Sequence, residues 1–276
     1  MGIFDKIFET KYCGICNGSA GVLGNKKLRD GYCCKNCEAW LSPYYKLNKA
    51  ATVADINYQI DCRKKNVERL RQFNATRTIG LTTKLLLDEI NGQFVITTSK
   101  NFRDKNTDVI DCSQVTNCTV DIIESSEEIQ YIDSNDNTKS FNPPCYAYSY
   151  DFFVEIDVNV PYIDTIRFKI NNTPIDNGQE TLIKMEGGLL NRFADALLPA
   201  KSYKGMTSNA QEVRASAQYQ KCEQIANDMR SSLMSSRSVV RTKIPDVVKV
   251  ECPWCGSKMI PTEHGRCINC GGGLDG

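Results

Sequence analysis

One histidine, His264, is all that the 276 residues contain. A catalytic zinc held by several imidazoles is thereby excluded, and Ser-His-Asp or Cys-His chemistry could be built only around that residue. Long apolar runs are missing as well. Nowhere do about 18 apolar residues stand together, as a spanning helix requires, and residues 1–25 hold no run suited to a signal peptide. The expectation is a cytoplasmic protein in a reducing compartment, where thiols favour metal over disulfides. No Gly-rich loop with Lys and Ser/Thr cradles a phosphate, since Gly271, Gly272 and Gly273 open no helix. Nor can an acid, a base and a nucleophile be assembled into one constellation, so the expectation is a protein that is not an enzyme.

Cysteine, by contrast, is abundant. Eight of the 14 cysteines fall into two paired sets, Cys13-x2-Cys16 with Cys34-x2-Cys37, and Cys252-x2-Cys255 with Cys267-x2-Cys270. A thiolate pair two residues apart wraps one metal ion in a tight backbone turn, and two pairs complete the tetrahedral sulfur shell that zinc favours. The spacing therefore predicts two structural Zn2+ ions, one near each end. It selects Cys34 over the adjacent Cys33, and leaves His264 as a loop residue outside a filled shell. A thioredoxin-like redox reading would want a single CxxC at a βα turn. Cys33, Cys62, Cys112, Cys118, Cys145 and Cys222 remain, and read as small core residues.

Around the first set, the second pair leads into Glu38-Ala39-Trp40-Leu41, so Cys34 and Cys37 fall at the start of a helix. Knuckle, hairpin and helix-borne knuckle make a treble-clef-like zinc finger, in which the positive helix end favours thiolate. The second set has the form of a zinc ribbon, with Pro253 and Gly256 bending its first knuckle toward the metal. Segments this short bury too little apolar surface to fold without metal.

Ile3, Phe4, Ile7 and Phe8 fall on one side of a short amphipathic helix over residues 1–10, which docks on its own protein or anchors in a membrane surface or a partner's groove. Thr52 and Asp55 resemble a capping box at the head of a helix of about 20 residues, striped by Ile56, Ile60, Val67, Leu70 and Phe73. Arg63, Lys64, Lys65, Arg69 and Arg71 read as its solvated face. From Lys84 the period changes. Leu85 to Leu87, then Asn91-Gly92, then Phe94 to Ile96 describe a hairpin, and strand-like runs follow at 118–123, 128–132, 145–158 and 165–170, with turns at 134–137 and 171–174. Tyr146, Tyr148, Tyr150 and Phe152 alternate onto one face as packing residues. Residues 180–198 return to helical spacing, 209–233 suggest a second amphipathic helix, and 231–243 read as a linker.

The expected fold class is α+β: a central antiparallel β-sheet or small barrel with a capping helix, flanked by the finger and the ribbon. Its organisation is residues 1–50 amphipathic helix and finger, 51–80 connecting helix, 81–200 acidic β-rich domain with a C-terminal helix, 201–248 helix and linker, and 249–276 ribbon. Charge divides along the same lines. Residues 1–80 carry 14 Lys+Arg against 7 Asp+Glu, and residues 81–180 carry 7 against 17. An acidic centre repels phosphate backbones, so nucleic-acid contact would use the ends. Glu124, Glu127, Glu128, Asp133 and Asp136 are dense enough to meet a divalent cation, but solvation at loops and edges explains them more simply.

The segments "KLRDGYCCKNC" at 27–37, "FNATRTIG" at 73–80, "DVIDCSQVTNC" at 108–118, "NPP" at 142–144 and "YSYDFFVEIDVNVPYIDTIRFKI" at 148–170 resemble an uncharacterised bacterial and phage family, over much of residues 10–170. In that family a residue other than Cys is usual at the position of Cys33, which agrees with Cys34 as ligand. The resemblance implies organisation, with no activity attached, and is compatible with a phage or mobile-element role. The succession of strands and a following helix is also similar to bacterial pleckstrin-homology-like domains. The function expected is a non-catalytic zinc-binding adaptor with a protein partner. The alternatives are nucleic-acid binding through the basic finger and the ribbon, with Lys243, Lys249, Lys258 and Arg266, and membrane-surface association through residues 1–8.

Overall fold

A computed structural model of the chain describes residues 11–19, 25–133, 135–184, 208–237, 250–259, 265–267 and 269–274. The expected helix at 1–10 and His264 lie outside the described residues.

The first set of cysteines frames a minimal hairpin, β1 (Lys26–Lys27) against β2 (Tyr32–Cys33), followed by one turn of helix, α1 (Lys35–Glu38). Next comes α2 (Val53–Gln72), opened by a complete capping box. The Thr52 hydroxyl accepts from the Asp55 N–H at 3.2 Å, and the Asp55 carboxylate accepts from the Thr52 N–H at 2.8 Å. A third donor at the helix start, the Val53 N–H, is taken by the Asp30 carboxylate of the finger at 2.8 Å. The finger thus helps to start the helix beyond it.

Two four-stranded sheets make the centre. The first runs β3 (Arg77–Gly80), β4 (Lys84–Asp88), β5 (Gln93–Thr97) and β6 (Ile110–Asp111), all antiparallel and in sequence order. Its two long strands are apolar without alternation because both faces are covered. Leu85, Leu87, Phe94 and Ile96 enter the main core, while Leu86 and Val95 pack the other way with Leu70, Phe73, Phe102 and Val109 under α2. The turn between β4 and β5 closes on Gly92 at φ +63°, the left-handed position the Asn-Gly pair foretold. Gly80 is fixed more tightly: at φ +116° an added Cβ would overlap the Thr83 carbonyl and lie 2.8 Å from Met229 Cε.

The second sheet is dominated by a long hairpin, β7 (Val115–Ile132) and β8 (Thr138–Val160), continued by β9 (Ile163–Lys169). The separate strands expected at 118–123 and 128–132 are one strand, because Glu124 to Glu127 keep their pairing to Tyr150 through Ala147. Along β8, Tyr150, Phe152, Val154, Ile156, Val158 and Val160 are buried and alternate with half-buried residues, the period-2 pattern of a sheet with one face inward. Tyr146 and Tyr148 continue the inward register but reach the less covered end, where Tyr146 is exposed.

Residues 180–198 do not begin as the expected helix. Leu182–Lys184 form β10, a parallel partner of β7 at Gln130, Tyr131 and Ile132, and the Gln130 N–H donates to the Thr181 carbonyl at 2.9 Å. An available strand edge outcompeted a helical spacing that Gly187-Gly188 already weakened. The remainder of that segment lies outside the described residues.

The second expected helix is present but divided at Ser216 into α3 (Ala210–Ala215) and α4 (Ala217–Ser236). Ser216 adopts extended angles, and its hydroxyl caps α4 by accepting from the Tyr219 N–H at 3.2 Å, so one serine ends one helix and starts the next. Helix α4 continues to Ser236 and absorbs the start of the expected linker. Its Tyr219, Cys222, Ala226, Met229 and Leu233 face the core between the two sheets. Burying a side chain such as Leu233 contributes about 1.5–3 kcal/mol relative to leaving it in water. Last comes the hairpin β11 (Val250–Glu251) with β12 (Lys258–Met259), which carries Cys252 and Cys255, the first pair of the second cysteine set. No helix of the described residues is long and apolar enough to cross a membrane.

Candidate metal centres

All eight paired cysteines come together as the spacing predicts, in two groups of four whose sulfurs lie within 4.8 Å of one another: Cys13, Cys16, Cys34 and Cys37, and Cys252, Cys255, Cys267 and Cys270. Among the described residues no other such group of metal-ligating side chains is present. The sulfur separations test the fit. Zinc–thiolate bonds of about 2.3 Å in a tetrahedron place neighbouring sulfurs about 3.8 Å apart. Here Cys13–Cys37 is 3.8 Å, Cys16–Cys34 3.7 Å, Cys252–Cys270 3.6 Å and Cys255–Cys267 3.6 Å. These distances are far too long for disulfides, and all the cysteines are free. Each group therefore suits one zinc ion, and the chain suits two structural ones.

Three of the four knuckles are built identically. The Asn17 N–H donates to the Cys13 carbonyl, Gly256 to Cys252 and Gly271 to Cys267, at 2.8 to 2.9 Å. The donor residue is left-handed each time, at φ +57°, +67° and +77°. One bond further out, Cys13, Cys252 and Cys267 donate their own N–H groups to the carbonyls of Gly18, Ser257 and Gly272. This double turn points two sulfurs at one centre, and it needs glycine or asparagine after the second cysteine. The sequence signal was therefore broader than Gly256: Asn17 and Gly271 occupy the same position. The fourth knuckle is different, because Glu38 N–H bonds the Cys34 carbonyl as the first turn of α1, leaving Cys34 as the helix N-cap.

Backbone amides also reach the sulfurs: Cys34 N–H lies 3.4 Å from Cys13 Sγ, Trp254 N–H 3.4 Å from Cys252 Sγ, and Asn269 N–H 3.4 Å from Cys267 Sγ. Such donors favour thiolate. Burial pushes the Cys13 thiol up, but the backbone N–H groups of Cys16, Cys34 and Ile15 outweigh it and bring it down to about 6. Cys255 is likewise held at about 6, by the Ser257 hydroxyl and backbone N–H. In each group a partner moves the other way. Burial and the neighbouring sulfurs push Cys37 upward, and at Cys270 burial and three neighbouring thiols overcome the Gly272 N–H to give about 12. Four thiols crowded together cannot all ionise unless a cation joins them, which is the chemistry of a metal centre.

Cys33 stays out of the first group. It is fully buried in the finger's small core, and burial together with the adjacent thiolates pushes it up to about 12. Cys112, Cys118, Cys145 and Cys222 are buried as expected, while Cys62 is half-buried on α2. The central carboxylates are dispersed. Glu124 is bound by Arg214 at 2.6 Å and by the Tyr150 hydroxyl, and Asp133 closes the β7–β8 turn by accepting from Asn135, Asn137 and Lys139.

With four sulfurs filling each tetrahedron, no coordination position is left for substrate, as in a structural site. Residues 11–59 match the family model described as Domain of unknown function (DUF4428). The match spans the finger and the first third of α2 and stops short of both sheets. No curated protein and no solved structure matches the chain.

One expectation about α2 is corrected. Arg63 and Arg69 are not part of a solvated face: Arg63 is 4 % exposed and paired with buried Asp108, and Arg69 bonds Asp111 at 2.7 Å. Lys64, Lys65 and Arg71 are exposed as expected. Helical spacing held the clue, since Arg63 stands three residues after Ile60 and seven after Ile56, both buried. Its partner, 45 residues away, had no signature in the sequence.

Proposed function

We propose that this chain is a non-catalytic zinc-binding adaptor that acts through protein–protein contacts, with both metals serving to shape its ends. The observation that carries the reading is the closure of both all-cysteine shells, which assigns the metals to folding and leaves function to the surfaces. The most distinctive surface is the outer face of the second sheet. Asp151, Phe153, Glu155 and Asp157 of β8 share it with Asp121 and Ile123 of β7 and with Arg167 and Lys169 of β9. Arg167 lies over the Phe153 ring, 4.5 Å from its centroid, and bridges Asp121 at 2.7 Å and Glu155 at 3.1 Å. Carboxylates outnumber cations there, and Ile123 is exposed. Such a face suits a basic protein surface with a small apolar centre. By analogy alone, four antiparallel strands and then three, followed by the short parallel strand β10 before the helices, support a pleckstrin-homology-like reading of the centre.

The test is capture of partners from nuclease-treated native lysate by the wild-type chain and by Asp121→Lys/Glu155→Lys. Capture that survives nuclease and is lost in the charge-reversed chain supports the adaptor. Capture that vanishes with nuclease refutes it.

A second reading, nucleic-acid binding through the finger, is favoured by one observation. Lys11, Lys26, Lys27, Arg29, Lys35, Lys46 and Lys49 are all exposed, against only Asp30 and Glu38 in the same stretch of 11–50. Counterion release would make such binding fall steeply with salt, and no shift of duplex or single-stranded oligonucleotides at low salt would end this reading.

A further inference from the structure

The residues just after the finger's last ligand are tied into a buried polar seam. Trp40 N–H donates to the Cys37 carbonyl at 3.2 Å, so its position is set by the helical turn that Cys34 and Cys37 hold to the metal. The Trp40 carbonyl accepts from Arg63 Nε at 3.2 Å. Two residues on, the Ser42 N–H donates to Gln59 Oε1 at 3.0 Å and the Ser42 hydroxyl donates to Asp108 Oδ2 at 2.7 Å. Arg63 completes the circuit by pairing with the other oxygen of Asp108. One turn along α2, Asn66 donates to the Thr107 carbonyl and accepts from the Val109 N–H, both at 2.8 Å, and Asn106 donates to the Arg63 carbonyl at 3.1 Å. Ser42, Gln59, Arg63, Asn66 and Asp108 are all at least nine-tenths buried.

This seam joins three parts of the chain: the tail of the finger, α2, and the loop leading from β5 to β6. Its charged pair is out of water and depends on the groups supplied by Trp40 and Ser42 for its remaining hydrogen bonds. A buried ion pair tolerates such burial only when those bonds are made. The finger's small core joins Cys13, Cys33, Cys34 and Cys37 to Leu28, Leu41 and Ala51 and to Ile56 and Ile60 of α2, and the cysteines at its centre hold it together only while they share a metal. The ribbon is different. Its core is Cys252, Met259 and Cys267 with Val250 and Leu274, and among the described residues it meets the finger through an exposed hydrogen bond, Asn48 Nδ2 to Asn269 Oδ1 at 3.3 Å, rather than through a buried seam.

We propose that the finger is a metal-dependent latch on the central sheets: zinc holds Trp40 and Ser42 against the Arg63–Asp108 pair, and zinc loss opens the seam between finger, α2 and the 101–109 loop, while the ribbon metal exerts no such control. Zinc availability then becomes a signal read by the body of the protein. The coupling is reciprocal, because any stabilisation of the seam by zinc must equal the stabilisation of zinc by the seam.

Reciprocity supplies the test. Ser42→Ala keeps all eight ligands and removes the hydroxyl bond to Asp108. Zinc affinity of the full chain is measured at equilibrium by competition with a chromophoric chelator, with Cys255→Ser, which retains only the finger site, identifying the finger's constant. Ser42→Ala weakens zinc binding at the finger at least about tenfold, the scale of a hydrogen bond to a charged group, and leaves the ribbon's affinity within about twofold. Unchanged affinities, or an equal loss at both sites, overturn the latch. Hydrogen exchange does not depend on that variant. Cys16→Ser speeds exchange at Val109 and along α2 at least about tenfold, and Cys255→Ser leaves these amides within about twofold. Faster exchange confined to residues 11–52 in Cys16→Ser also overturns it.

Discussion

The finger and the ribbon use the same four sulfurs and the same knuckle turn, yet they stand in different relations to the rest of the chain. In the finger, three of the four ligands are buried, one knuckle is the first turn of a helix, and the residues beyond it run into a buried network with α2 and the first sheet. In the ribbon, both knuckles sit on turns, two of the four ligands are exposed, and the core is confined to its own hairpin and metal loop. The lesson is that a ligand set defines a metal site but not its reach. Reach is decided by the residues after the last cysteine: Trp40, Leu41 and Ser42 lead inward to α2, whereas among the described residues Gly271, Gly272 and Gly273 lead to Leu274, which packs on the ribbon's own core.

The largest effect separating the two sites comes from removing a buried ligand. Zinc binding to such segments is worth on the order of 10 kcal/mol, comparable with the whole stability of a domain. Cys34→Ser therefore lowers the melting temperature of the entire chain by circular dichroism, whereas Cys267→Ser unfolds only the ribbon and leaves the main transition in place. Next is Asp108→Ala, which strands the Arg63 guanidinium in the interior and costs about 3–5 kcal/mol in urea unfolding. Adding Arg63→Met should recover part of that loss, and failure to do so would show that the pair matters for more than its charge. The ribbon has no equivalent buried pair among the described residues. Smaller still are the knuckle turns. Asn17→Ala and Gly256→Ala each force alanine into the left-handed region at about 1–2 kcal/mol, and zinc competition assays should find similar losses at the two sites, since the turn is shared. A marked inequality would mean that the likeness of the knuckles is only superficial. The mildest distinction is kinetic: with Cys255 and Cys270 exposed, chelator strips the ribbon several-fold faster than the finger.

How far the molecule was legible in its sequence depends on the range of the forces involved. The metal ligands were legible because thiolate geometry is local, and the choice of Cys34 over Cys33 rests on a two-residue gap. The capping box at Thr52 and the left-handed turn at Gly92 were legible for the same reason. Two of the failures are long-range and one is local. Helical spacing at 180–184 gave way to a strand edge offered by Gln130 to Ile132, about 50 residues earlier in the chain. Arg63 read as solvated because its counter-ion lay beyond any local pattern. Ser216 broke a helix whose apolar stripe continues on both sides, since a serine with extended angles caps the next helix at little cost. Function was least legible, because the spacing that reveals the two metal sites is local, whereas any working surface is assembled from the whole fold.

Zinc content bears most directly on the central claim of two closed structural sites of unequal reach. Elemental analysis of freshly purified, reduced protein is predicted to find two zinc ions per chain, falling to one in Cys16→Ser and one in Cys255→Ser. One or none in the wild-type chain, or two retained in either variant, would contradict it.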